Sequence, residues 1–320
     1  MTRVVLDGPA WTDALIWRVA GTTVVPDETV RMLEGVAADR AIFFAEVAGL
    51  SRKERSDDTV LRADEALSAR VLECAADEIM GYFGRRSLQE LAPLRQMILA
   101  RAATQAAAER MPAPADLRSA TRGAEVEIVS HDTPHEGFYL TRSYRLRHPQ
   151  FDGGMSNTVS REVFVASDAA VVLPYDPRRD RILLVEQFRM GPFDRGDPLP
   201  WVLEPVAGRV DAGETPEQAA RRECREEADL ELTQLLHVSS HYCSPGCSTE
   251  LFHCYVGLCE LPETGETHGG LEAEHEDLRR HVIGFDAAMA MTRTGEVNIG
   301  PLFALLLWLE RERTRLRASA

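Results

Sequence analysis

The chain changes its hydrophobic rhythm once, sharply, and that break constrains the fold more than any other feature of the sequence. From Asp64 the apolar residues Leu67, Val71, Cys74, Ala75, Ile79 and Tyr82, then Leu91, Leu94, Ile98 and Ala102, recur at the 3.6-residue spacing of amphipathic helices. Pro112 and Pro114 end the pattern, because proline lacks a helix donor and pushes its predecessor toward extended backbone. From Glu125 onward short strands alternate with turns: 126–129, 139–147, 159–165, 169–175 and 181–188. Asp176-Pro177-Arg178-Arg179-Asp180 between the last two has the residues of a hairpin turn. A chain of 320 residues has room for two domains. The prolines divide it into an N-terminal domain, 1–115, ending in two amphipathic helices, and a strand-rich domain, 116–320. The fold class expected is α+β.

Signals before the helices are mixed. Ala41 to Leu50 fits strand or helix, and the charged stretch Ser51 to Asp58 reads as an exposed loop. Further on, Thr215-Pro216-Glu217-Gln218 combines an N-cap hydroxyl, proline at the first helical position and Gln at N3, which opens a helix running to about Asp229. Leu251 to Leu258 reads as a buried strand, and Phe285 to Thr292 and Ile299 to Leu316 as helices. Arg311, Arg313, Arg315 and Arg317 suit the negative C-terminal end of the last helix.

Charge narrows the partners. With 36 basic and 51 acidic residues the net charge is −15, which repels nucleic acid and anionic membrane, so neither is expected as a partner. An anionic small substrate therefore needs local help from a metal or from arginine. The longest apolar run, Pro301 to Leu309, is too short to span a bilayer, and Asp7 and Asp13 interrupt any signal-peptide core. A cytoplasmic location is expected, with the six cysteines as free thiols. His241, Cys243, Cys247, His253 and Cys254 are close in sequence but include no C-x2-C pair, so a zinc site is not expected.

The chemistry-bearing segment lies on the capped helix. Glu223, Glu226 and Glu227 fall at i, i+3 and i+4, so three carboxylates share one face, and like charges this close repel unless a cation joins them. On spacing alone the face is either a solvated acidic surface or a seat for a hard divalent ion such as Mg2+ or Mn2+.

The segment in front resolves the choice. Gly208, Glu214 and Arg222-Glu223-Cys224-Arg225-Glu226-Glu227 match six specified positions of the Nudix box, G-x5-E-x7-R-E-U-x-E-E-x-G-U, and the segment resembles that motif. The resemblance implies a loop-helix-loop in which Glu223, Glu226 and Glu227 are metal ligands, while Glu214 and Arg222 form a structural ion pair beside Gly208. Cys224 stands at an aliphatic position that a small thiol can fill. Asp229 replaces the usual glycine at a modest cost to the helix end.

From Glu125 to about Glu310 the chain is similar to the ADP-ribose pyrophosphatase branch of the Nudix superfamily. The stretches that carry this are Gly137-Phe138-Tyr139, Ser160-Arg161-Glu162-Val163-Phe164, Glu186-Gln187-Phe188-Arg189, Leu203-Glu204-Pro205-Val206-Ala207-Gly208 and Ser244-Pro245-Gly246. The resemblance implies an α/β/α sandwich with a mixed sheet. It assigns Phe138 to stack on adenine, Arg161 and Arg189 to contact the diphosphate or terminal ribose, and the Ala207 carbonyl to complete a metal shell. Glu272 to Asp277 resembles the family's loop bearing a catalytic glutamate, with Glu274 aligning best and Glu276 second; His241 and His275 rank below them.

The activity implied is Mg2+-dependent hydrolysis of ADP-ribose to AMP and ribose 5-phosphate, with Mn2+ as an alternative metal. The other readings are hydrolysis of FAD, NADH or a sugar nucleotide, and a module that senses ADP-ribose without cleaving it. Family members build the adenosine site from two subunits, so a homodimer is implied, with Phe138 and Arg161 serving one site from different chains. The two-part layout is similar to the tellurite-resistance-associated Nudix proteins, whose N-terminal part has a γ-glutamylcyclotransferase-like fold. A domain of that type would here be degenerate, because the Y-G-T-L start is absent and Leu6-Asp7-Gly8-Pro9 stands nearest its place. Residues 1–115 offer no recognisable acid, base or metal cluster, so a fragment 113–320 is expected to stay soluble and active.

Overall fold

Trp11 and the helices after it explain why the first third of the chain forms a core of its own. A computed structural model describes residues 3–22, 31–55, 58–63, 67–110, 114–263, 265–269 and 277–319. The chain divides into two compact units, one of residues 1–167 with 211–213 and 246–249, the other of 168–210, 214–245 and 250–320.

The first unit begins with β1 (Arg3–Asp7), α1 (Asp13–Ala20), β2 (Arg31–Glu34), α2 (Val36–Ala48), β3 (Ser51–Arg55) and β4 (Asp58–Arg62). Ala41 to Leu50 thus falls largely in a helix. Ser51 to Asp58, expected as a loop, is mostly strand: β3 pairs antiparallel with β4, and its row of charged residues marks an exposed sheet edge rather than a loop. The four strands run in the order β2-β1-β4-β3. Two helical hairpin partners follow, α3 (Ala69–Tyr82) and, after the short α4 (Leu88–Leu91), α5 (Arg95–Ala108). Thr12 and Ser68 cap α1 and α3 by accepting amide bonds from Leu15 and Val71. The apolar stripes of these helices are covered within the same segment: Trp11, Leu15, Ile16, Phe44, Leu72, Ile79 and Ile98 belong to one buried cluster whose buried members all lie between Val4 and Ala106. Burying each such side chain contributes roughly 1.5–3 kcal/mol. An antiparallel sheet completes the unit, in the order β5 (Glu127–Glu136), β6 (Leu140–Arg147) and β7 (Val159–Val165).

In the second unit β8 (Ala169–Asp176) and β9 (Arg181–Phe188) form the expected hairpin, with Asp180 in the left-handed region. They part beyond Tyr175 and Ile182, and after α6 (Met190–Arg195) one segment fills the fork: β10 (Trp201–Glu204) lies along β9 and β11 (Val206–Arg209) along β8. Then come α7 (Pro216–Ala228), β12 (Gln234–Tyr242), β13 (Leu251–Leu258), β14 (Gly265–Gly269), β15 (Leu278–Gly284), α8 (Phe285–Thr294) and α9 (Gly300–Ala318). β13 runs parallel to β8 and the remaining pairs are antiparallel, so the sheet is mixed.

Alternation assigns the two faces of this sheet. Ala170, Val172, Leu183 and Val185 share a core with Ala219, Ala220 and Cys224 of α7, whereas Val171, Leu173, Ile182 and Leu184 pack with Leu302, Leu305 and Leu309 of α9. The result is an α/β/α sandwich, with β8 buried along its whole length. Among the described residues no helix is long and apolar enough to cross a membrane.

Candidate active site on helix α7

The helix starts where its residues dictate. Thr215 Oγ1 accepts from the Gln218 amide (3.2 Å) and Gln218 Oε1 accepts from the Thr215 amide (2.8 Å), a reciprocal cap with Pro216 in the first turn. It ends at Asp229 in the left-handed conformation (φ 54°, ψ 42°), whose amide bonds the Arg225 carbonyl. Asp fills the position that glycine usually holds. Arg280 of β15 donates to the Glu227 carbonyl, one of the carbonyls that every helix end leaves without an intrahelical partner. Cys224 is fully buried as an aliphatic residue would be, and burial pushes its thiol pKa well up, away from a reactive thiolate.

Arg222 organises the acidic face. Its Nε and Nη2 each meet Glu214 at 3.0 Å in a fork, and Nη2 also donates to the Arg209 carbonyl (3.0 Å). The expected ion pair is therefore present, but the same guanidinium reaches further: Nη1 donates to Glu223 Oε1 (2.6 Å) and Glu226 Oε2 (3.0 Å). The spacing of Arg222 and Glu226 at i, i+4 could have suggested the second contact. The bonds to Glu214 raise the Arg222 pKa above its already high ordinary value, so the group is a permanent cation.

Glu227 behaves differently. It is buried, and its Oε2 accepts the Ala207 amide at 3.1 Å. Ala207 stands opposite Val171 in the β8–β11 pair, and in an antiparallel pair a residue's amide and carbonyl face the partner together or turn away together. Since the amide is given to Glu227, the carbonyl also turns from β8. Gly208 next to it is required by close approach: a Cβ there would stand 1.8 Å from Glu223 Oε1.

Three carboxylates, Glu214, Glu223 and Glu226, thus share a single guanidinium, with Glu227 on the same helix turned onto the Ala207 amide, and the excess negative charge together with an oxygen-only donor set suits a hard divalent cation. With the side chains placed as they are, no group of three or more His, Cys, Asp or Glu among the described residues is drawn together closely enough to hold a metal ion.

Arg189, at the end of β9, donates through Nε to Glu204 Oε2 (2.7 Å), a partner that only the β9–β10 pairing supplies. Phe138 and Arg161 belong to the first unit. Phe138 lies between β5 and β6 and is half exposed, its ring edge-to-face with Tyr139 at 5.0 Å. Arg161 is exposed on β7, where it donates to the Ser160 carbonyl (2.8 Å). Glu274, Glu276 and His275 lie outside the described residues. His253 is buried on β13, with Nε2 at 3.2 Å from Asp168 and Nδ1 at 3.0 Å from Ser240, while His241 on β12 meets Ser239 at 3.0 Å.

Known proteins converge on the same region. The family model of the NUDIX domain matches residues 166–304. The ADP-ribose pyrophosphatase of Escherichia coli K12 is 38% identical over 193 residues, which is 60% of this chain and 91% of the relative. That of Haemophilus influenzae is 34% identical over 61% of this chain and 90% of the relative. A GDP-mannose pyrophosphatase from Escherichia coli O1:K1 is 31% identical over 47% of this chain and 77% of the relative. With its box of acidic residues on α7 and this similarity along nearly the full length of the relatives, the chain belongs to the Nudix family, in the branch of the ADP-ribose pyrophosphatases.

Proposed function

We propose that this protein hydrolyses the pyrophosphate of ADP-ribose to AMP and ribose 5-phosphate, using Mg2+ or, in its place, Mn2+. The observation that carries the proposal is the surplus of carboxylates around Arg222 on α7, facing the Ala207 segment, in a chain similar to ADP-ribose pyrophosphatases over about nine-tenths of their length. Glu223, Glu226, Glu227 and the Ala207 carbonyl would hold the cation. When bound, it supplies charge neutralisation for the two phosphates and a lower pKa for water.

The chain's own residues do the rest. Arg222 and Glu214 hold the loop to α7, and Gly208 leaves room for the Glu223 carboxylate. Glu274, with Glu276 as the alternative, takes the proton of the attacking water as general base. Phe138 stacks on adenine, and Arg161 and Arg189 contact the diphosphate or terminal ribose, Arg189 being oriented by Glu204. The protein acts as a homodimer, and the chemistry is confined to residues 116–320.

A panel of ADP-ribose, GDP-mannose, FAD and NADH with Mg2+ and product identification tests the proposal. AMP and ribose 5-phosphate as products, with ADP-ribose giving the highest kcat/KM, are expected. Faster turnover of GDP-mannose, FAD or NADH would replace the substrate, and tight ADP-ribose binding without turnover would make the protein a sensor.

A further inference from the structure

The turn that carries Phe138 is held by arginines from the N-terminal helices. Arg101 of α5 is 4% exposed and forms a buried ion pair with Glu78 of α3, with Nη2 at 2.5 Å from Oε1 and Nε at 3.1 Å from Oε2. Its remaining nitrogen, Nη1, donates to the Phe138 carbonyl at 3.3 Å. Arg85, just beyond α3, donates to the Glu136 carboxylate (2.8 Å), and Arg86 to the Glu136 carbonyl (3.2 Å). Three guanidinium groups from one helical hairpin thus converge on Glu136-Gly137-Phe138. The turn is tight by itself, since the Gly137 amide bonds the Tyr139 carbonyl at 2.9 Å and a Cβ on Gly137 would stand 2.9 Å from the His135 ring.

Such an arrangement does more than stabilise helices. A buried ion pair contributes little net stability once its desolvation is counted, but it fixes the position of whatever else it bonds. The forked guanidinium is the one cationic side chain that can hold Glu78 and a carbonyl in different directions at once. Phe138, half exposed and braced by Tyr139, which in turn packs on Phe164 at 4.9 Å, sits directly on the segment so held.

We infer that Arg101, assisted by Arg85 and Arg86, is a positioning residue for the Phe138 ring, so that the N-terminal helices set how tightly the adenine end of the substrate is bound. The inference rests on the proposed stacking role of Phe138. It gives the N-terminal helices a part in substrate binding that the soluble, active fragment 113–320 expected from sequence would lack.

The test compares the full-length protein with Arg101→Lys, with the charge-balanced pair Glu78→Gln/Arg101→Met, with the pair Arg85→Ala/Arg86→Ala, and with Phe138→Ala. The first readout is hydrogen exchange of peptides covering 134–140, which needs no substrate. Exchange should rise about tenfold in both double variants with other peptides unchanged; unchanged exchange in both overturns the clamp. The second readout is ADP-ribose kinetics with Mg2+. Phe138→Ala and each double variant should raise KM about tenfold with kcat within about twofold. The double variants should add nothing further in a Phe138→Ala background. Arg101→Lys should keep the thermal midpoint yet raise KM, because ammonium can pair with Glu78 but cannot fork to the Phe138 carbonyl; full rescue of KM by lysine means the role is only structural and overturns the inference. A raised KM in Phe138→Ala with none in the clamp variants also overturns it and leaves the stacking role intact. No effect of Phe138→Ala sinks the stacking role itself, while the exchange result still decides whether the clamp holds the turn. If the buried pair fails to fold when replaced, the Arg85→Ala/Arg86→Ala variant, in which Arg85 is exposed and Arg86 only partly buried, carries both readouts.

Discussion

Gly208→Ala should separate activity from stability without removing any of the carboxylates on α7. An added Cβ would lie 1.8 Å from Glu223 Oε1 and 2.0 Å from its Cδ, whereas carbon and oxygen in contact need about 3.4 Å. The carboxylate must therefore retreat by about 1.6 Å. Glu223 is a side-chain tip and can do so, at the expense of its 2.6 Å bond from Arg222. That bond is partly exposed and Arg222 keeps its fork on Glu214, so the stability lost is about 1 kcal/mol. Replacing a glycine whose φ lies outside the left-handed region returns about 0.4–1 kcal/mol through the unfolded state. The net change is near zero, and the thermal midpoint should move by less than about 3 °C. Catalysis should not escape so lightly. A ligand moved by more than 1 Å costs about 100-fold in kcat, or about 2.7 kcal/mol of barrier. Initial rates at saturating ADP-ribose and Mg2+, beside calorimetry on the same preparation, measure both. A kcat within about threefold of wild type would falsify the claim that the Glu223 carboxylate must sit against Gly208.

Other outcomes can be checked alongside. Glu227→Gln should lower kcat by about two orders of magnitude or more while leaving the midpoint nearly unchanged, since an amide oxygen still accepts the Ala207 amide; wild-type turnover would remove Glu227 from the metal shell. EDTA should abolish activity, and added Mg2+ restore it; turnover surviving exhaustive chelation would remove the metal requirement. Burial pushes the Asp180 pKa up, but hydrogen bonds from Arg313 and Tyr175 outweigh it and hold the carboxyl below its ordinary range. A depressed folded pKa gives stability that is present above the unfolded value, about 4, and is lost as pH falls through the folded value. Asp180→Asn, which tolerates the φ of 58°, should thus cost about 1–3 kcal/mol at pH 7, with the gap to wild type closing below about pH 4. A gap independent of pH would refute the ionic origin. Light scattering at micromolar concentration should give a dimer, and a fully active monomer would rule out a shared site.

Much of the second unit was legible in the sequence because its signals are local. The cap at Thr215 and Gln218, the i, i+3, i+4 carboxylates and the apolar runs of β8, β9 and β13 each lie within one element, where spacing alone settles which side chains share a face. Ser51 to Asp58 escaped because β3 is an edge strand, whose charged side chains look like a loop until β4 is seen to pair with it. The chain alone determined that an acidic helix face exists and where it starts. Only the tertiary structure decided that Arg222 bridges three carboxylates, that Glu227 turns onto the Ala207 amide, that Glu204 steadies Arg189, and that Arg101 reaches the Phe138 carbonyl. Helical and strand periodicity are properties of neighbouring residues, whereas these contacts join segments up to 37 residues apart, whose meeting depends on strand register and on how helices pack.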